Sequence, residues 1–115
     1  MGTVNNRKSS LEFNSRINKG ITLVDFNAEW CVPCREQREI VEKLAELFSG
    51  KATMIGLDVD HHPETAVSLG VTSIPTLIVF KDGKELKRFI GRQTEDTLKQ
   101  SLNQAIQSNS NKVDQ

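Results

Sequence analysis

Residues 21–48 read ITLVDFNAEWCVPCREQREIVEKLAELF. Its first six residues, Ile21 to Phe26, are rich in β-branched and aromatic side chains and apolar at nearly every position, as in a strand covered on both faces. Asp25 is the exception. Further on, Ile40, Val41, Leu44, Leu47 and Phe48 recur at helical spacing and form one stripe. Arg38, Glu39, Glu42, Lys43 and Glu46 fill the other positions, and Gly50 is a plausible stop. A buried strand feeding a long amphipathic helix predicts an α/β chain.

Working outward, Ser9 and Glu12 have the spacing of a capping box, with Leu11, Phe13 and Ile17 following at roughly helical intervals and Gly20 ending the helix. Downstream, MIGLDVD (54–60) reads as a second strand. Pro63 to Leu69 is a short helix, with proline near its start and Gly70 after its end. TLIVF (76–80) and ELKRFI (85–90) are strands joined by Asp82-Gly83, a strong hairpin signal. From Thr94 the pattern is helical: Thr94 can cap, Glu95 and Asp96 suit the first turn, and Leu98, Leu102, Ala105 and Ile106 share a face. Strands separated by helices imply parallel pairing, and the hairpin adds an antiparallel edge. The expected fold is a three-layer α/β/α sandwich around a mixed sheet of four or five strands, the fifth resting on Thr3 and Val4 alone. Residues 1–107 form one expected domain, and 108–115 a polar, frayed tail.

The chain has 115 residues, 37% hydrophobic and 26% charged, which fits one globular core. Basic and acidic side chains balance at 15 each, so no basic surface points to nucleic acid. The apolar runs are too short to span a bilayer. The start, MGTVNNRKSS, carries no apolar stretch of signal-peptide type, so the expectation is a cytoplasmic, reducing setting in which a permanent disulfide is unusual.

Cys31 and Cys34 are the only cysteines. If Cys31 stands where the strand gives way to the helix, unpaired N–H groups and the helix dipole favour negative charge on its sulfur. Thiols in such motifs ionise at about 7 or lower, against about 8.5 for a free thiol, and the thiolate is the attacking species in disulfide exchange. Cys34, one turn on, faces back and can resolve a mixed disulfide. Pro33 fits the first turn, where its missing N–H costs little. As a structural staple the pair is weak, since closing so short a loop contributes about 2 kcal/mol. As a zinc site it is short of ligands: a structural zinc takes four, and one CxxC supplies two. His61 and His62 are adjacent and diverge, so they read as decoration of a surface loop. A redox pair remains.

Asp25 has two readings. Buried, it would carry a raised pKa and could accept the Cys34 proton during resolution. Alternatively, it is a strand-end aspartate turned to solvent.

Together, VDFNAEWCVPC, the DVD strand end, SIPT, the FKDGK hairpin and Gly91 with a last amphipathic helix resemble the thioredoxin family over residues 20–107. The resemblance implies the thioredoxin fold, Cys31 as exposed nucleophile, Cys34 as buried resolving thiol and Asp25 as the buried acid. It implies that Pro75 is a cis-proline beside the cysteines, exposing the Ile74 main chain to an extended substrate. It places Trp30, Val32, Pro33 and Gly91 along the substrate groove, where the bland readings are core packing for Trp30 and a strand-end turn for Gly91. The chain also departs from the pattern. Val32 stands where glycine is usual, Asn27 in place of a second tryptophan, Gly56 in place of a lysine near the acid, and Arg35 in place of a lysine.

The expected function is reduction of protein disulfides by dithiol–disulfide exchange, with no cofactor or metal bound. Expected partners are disulfide-containing proteins and a flavoprotein thioredoxin reductase, with no nucleic acid or membrane, and the chain is expected to be a monomer. The rival readings are a binding module without turnover, an oxidant or isomerase with a shifted potential, and a metal-binding dimer.

Overall fold

A computed structural model describes residues 12–113, with side chains through residue 108. Ser9, Leu11, Thr3 and Val4 lie outside the described residues. In chain order, helical residues 12–17 (α1) are followed by β1 Ile21–Asn27, α2 Val32–Leu47, β2 Thr53–Asp58, α3 Pro63–Ser68, β3 Thr76–Lys81, β4 Lys84–Ile90 and α4 Glu95–Val113. α4 runs past residue 107, through part of the expected tail. Its start is capped by Thr94 Oγ1, which accepts from Thr97 N–H at 3.1 Å.

The sheet order is β2-β1-β3-β4. β1 sits inside it, and all seven of its residues are buried, as its apolar run requires. Its side chains divide between two faces. Ile21 and Leu23 join Val41, Leu44, Phe48, Leu77, Val79, Leu98 and Leu102 under α2 and α4. Val24 and Phe26 join Ile55, Leu57, Ile78, Phe80 and α1's Phe13 and Ile17 on the other face. The three layers follow from period-2 alternation in strands packed against apolar helix stripes.

One expectation about pairing is corrected. β1 and β2 are parallel, but β3 runs antiparallel to β1 although a helix precedes it. Helix length explains this. α2 has 16 residues and spans about 24 Å, enough to carry the chain back along a strand of about 20 Å. α3 has 6 residues and spans about 9 Å, so the chain stays at the edge where β2 ended and β3 starts there. Thr76 therefore pairs with Phe26, near the end of β1, and the ends of β1, β2 and β4 meet the start of β3 on one edge.

Two smaller differences concern α2 and β2. Leu47 is exposed, and the buried stripe of α2 is Cys34, Gln37, Val41 and Leu44, continued by Phe48. β2 stops at Asp58, where the Asp58 carboxylate accepts the Asp60 N–H at 2.8 Å and turns the chain. No helix among the described residues is long and apolar enough to cross a membrane.

Candidate active site

Cys31 is the N-cap of α2, and its backbone is extended there. Its sulfur accepts the Cys34 N–H at 3.3 Å, in the place a serine or aspartate oxygen takes in other caps. Pro33 occupies the first turn, where no hydrogen bond is lost. The two cysteines are joined as a disulfide, with Cα atoms 5.2 Å apart, so this is the oxidised state. Cys34 is fully buried, and Cys31 retains 5% exposure. The resemblance led to an exposed Cys31. In the structure Ala28 and the partly buried Val59 and Ile74 pack around the pair and cover most of the Cys31 surface.

Asp25 is 2% exposed, which removes the solvent-facing reading. It shares the α2/α4 face of β1 with Leu23, two residues before it. Its Oδ1 is buried without a hydrogen-bond partner among the described residues. Burial raises its pKa from 3.8 to about 6, and the Arg38 guanidinium pulls the other way. Gly56, opposite Asp25 on β2, contributes no cation. A Cβ at Gly56 would touch the Asn27 amide at 3.6 Å, and that amide donates to Asp25 O at 2.9 Å. Asn27 thus fills the space beside Gly56.

The Ile74–Pro75 bond is cis. Pro75 O accepts the Gly91 N–H at 2.8 Å, which joins the loop before β3 to the turn after β4. Trp30 is 67% exposed, so it is no core residue, and its Nε1 donates to Asp60 at 2.8 Å. Val32 is also exposed. Arg35 donates to Glu29 O at 3.2 Å. The structure therefore brings Cys31, Cys34, Ile74, Pro75 and Gly91 to one sheet edge, flanked by Trp30, Val32 and Pro33. His61 is exposed and lies 3.4 Å from Asp58, and His62 is the N-cap residue of α3. Among the described residues no three His, Cys, Asp or Glu side chains group to hold a metal.

Sequence reasoning missed Gln37, Gln93 and Asp60. Gln37 is completely buried, and it donates to Gln93 O at 3.1 Å and accepts from Gln93 N at 2.7 Å. Its signal was register: positions 34, 37, 41, 44 and 48 step by three and four, and Gln37 is the one amide in that series.

A sheet that delivers a redox cysteine pair to the start of a helix, with a buried carboxylic acid in the strand before it, defines a thiol–disulfide oxidoreductase. Comparison with known proteins agrees. The family model described as Thioredoxin matches residues 4–104. Thioredoxin of Staphylococcus aureus strain Mu50 is 44% identical over 95 residues, covering 83% of this chain and 91% of that one. A point mutant of thioredoxin from Halobacterium salinarum NRC-1 superposes with a TM-score of 0.73 at 35% identity, over 79% of each chain. A chain from a study of thiol resolution in yeast mitochondrial 1-Cys peroxiredoxin by the glutathione/thioredoxin systems gives 0.75 at 27% identity, over 82% and 88%. The chain belongs to the thioredoxin family.

Proposed function

We propose that Cys31 is the nucleophile and Cys34 the resolving thiol in the reduction of protein disulfides, with Asp25 as proton acceptor. The thiolate of Cys31 attacks one sulfur of the substrate disulfide. That bond breaks, one substrate thiolate leaves, and a mixed disulfide forms. Cys34 then gives its proton to Asp25 and attacks Cys31 Sγ, releasing the second substrate thiolate. The substrate gains two electrons and the chain is left with the Cys31–Cys34 bond. A flavoprotein reductase fed by NADPH restores the dithiol in the cytoplasm, and the protein acts as a monomer. The observation that carries this reading is the Cys31 sulfur capping α2: the Cys34 N–H and the helix dipole stabilise negative charge there. An unpartnered buried Asp25 oxygen supports a proton acceptor, since a group with pKa near neutrality both takes and returns a proton.

Trp30, Val32, Pro33, Ile74, Pro75 and Gly91 border the groove proposed for the substrate. The Ile74 main chain has no hydrogen-bond partner among the described residues, which leaves it free to pair with an extended segment. The test is insulin reduction with dithiothreitol. Wild type should accelerate precipitation over the blank, Cys31→Ser should abolish the effect, and Cys34→Ser should accumulate mixed disulfides. Retained turnover in Cys31→Ser would end this assignment.

A further inference from the structure

The substrate groove as proposed has three walls on three segments: the start of α2, the loop before β3 and the turn after β4. Two of them are connected by the Gly91 N–H to Pro75 O bond. The third link is a buried side chain one turn beyond Cys34. Gln37 clamps both main-chain polar groups of Gln93, and the Gln93 side chain then donates to Gly91 O at 3.1 Å. Hydrogen bonds therefore run without a gap from the cysteine helix, through Gln93 and Gly91, to the cis-proline. An ion pair of Glu36 with Arg92 spans the same two segments, but both side chains are more than half exposed. Such pairs hold little in water. The buried amide has no such competition, because a lost partner would leave polar groups of Gln93 unsatisfied.

From this geometry, and resting on the groove reading above, we infer that Gln37 is a positioning residue that sets the Gly91 wall of the groove and so governs selection of protein disulfides. It touches neither sulfur nor substrate. Its effect therefore falls on substrates that fill the groove and spares compact disulfides that reach Cys31 alone.

The experiment compares insulin with the small disulfide 5,5′-dithiobis(2-nitrobenzoic acid) as substrates of wild type, Gln37→Met and Gln93→Ala. Methionine keeps the length of glutamine and loses both hydrogen bonds. Gln93→Ala cuts only the arm to Gly91, and the partly exposed side chain makes its folding secure. For Gln37→Met, the ratio of kcat/KM for insulin to kcat/KM for the small disulfide should fall about tenfold through a higher KM, because both bonds that hold Gln93 are gone. For Gln93→Ala it should fall in the same direction by about threefold. A ratio that stays at the wild-type value in a folded variant, or a loss shared equally by both substrates, overturns the inference. A wild-type protein with no preference for insulin would instead sink the groove on which it rests.

Discussion

Asp25 is the one ionisable side chain of β1, and it carries the cost of that buried position in its ionisation. The unfolded chain releases this proton near 3.8, whereas the folded, oxidised chain holds it to about 6. Between those values the native state binds the extra proton, so stability falls as pH rises through the window and stays lower above it. A shift of this size corresponds to about 3 kcal/mol. Asp25→Asn should therefore be more stable than wild type at pH 8, with the advantage vanishing towards pH 4. Urea denaturation at the two pH values measures it, and a pH-independent gap would contradict the burial argument. The same variant lacks the proposed acceptor, so release of the mixed disulfide at pH 7 should slow on the order of 100-fold in stopped-flow traces. At this scale the sequence was half legible. An acid inside an apolar run is conspicuous, but the face it points to is set by sheet pairing. Gln37 was hidden for a similar reason: one amide among charged helix residues looks solvated until the buried stripe is known.

Among the elements, the hairpin shows local chemistry deciding structure without help. Asp82 and Gly83 both adopt positive φ, +50° and +86°, as a two-residue turn matched to strand twist demands. Asp82 also exchanges hydrogen bonds with Gly20: its N–H donates to Gly20 O at 2.9 Å and its carboxylate accepts the Gly20 N–H at 2.8 Å, fastening the turn to the start of β1. A Cβ on Gly83 would meet Asn18 only at ordinary contact distance, so the cost of Gly83→Ala is conformational. It should lower stability by about 1 kcal/mol, seen as a melting temperature a few degrees lower. Insulin reduction should be unchanged, because the turn lies at the opposite end of the sheet from Cys31. A slower reaction would mean that the two ends communicate. The direction of β3 was not legible in this way. It depends on α3 being too short to return the chain, a comparison of lengths in space and not of residue types.

Across the whole molecule, the working disulfide is a minor contributor to stability. It closes a span of four residues from Cys31 to Cys34, worth about 2 kcal/mol by chain entropy. The two cores beneath and above β1 carry the fold. Reduced protein should therefore remain folded, with an unfolding free energy lower by about 2 kcal/mol and a similar urea m-value. Unfolding in dithiothreitol alone would show that the bridge is a staple. Local sequence was enough for the redox pair, the strand and helix that present it and the hairpin, because each is written in spacing, turn residues and apolar periodicity within a few residues of chain. The burial of Asp25, the direction of β3 against β1, the near-complete covering of Cys31 and the reach of Gln37 to Gln93 were settled by tertiary packing alone. Those outcomes depend on which distant segments share a surface, and no local pattern encodes the distance between them.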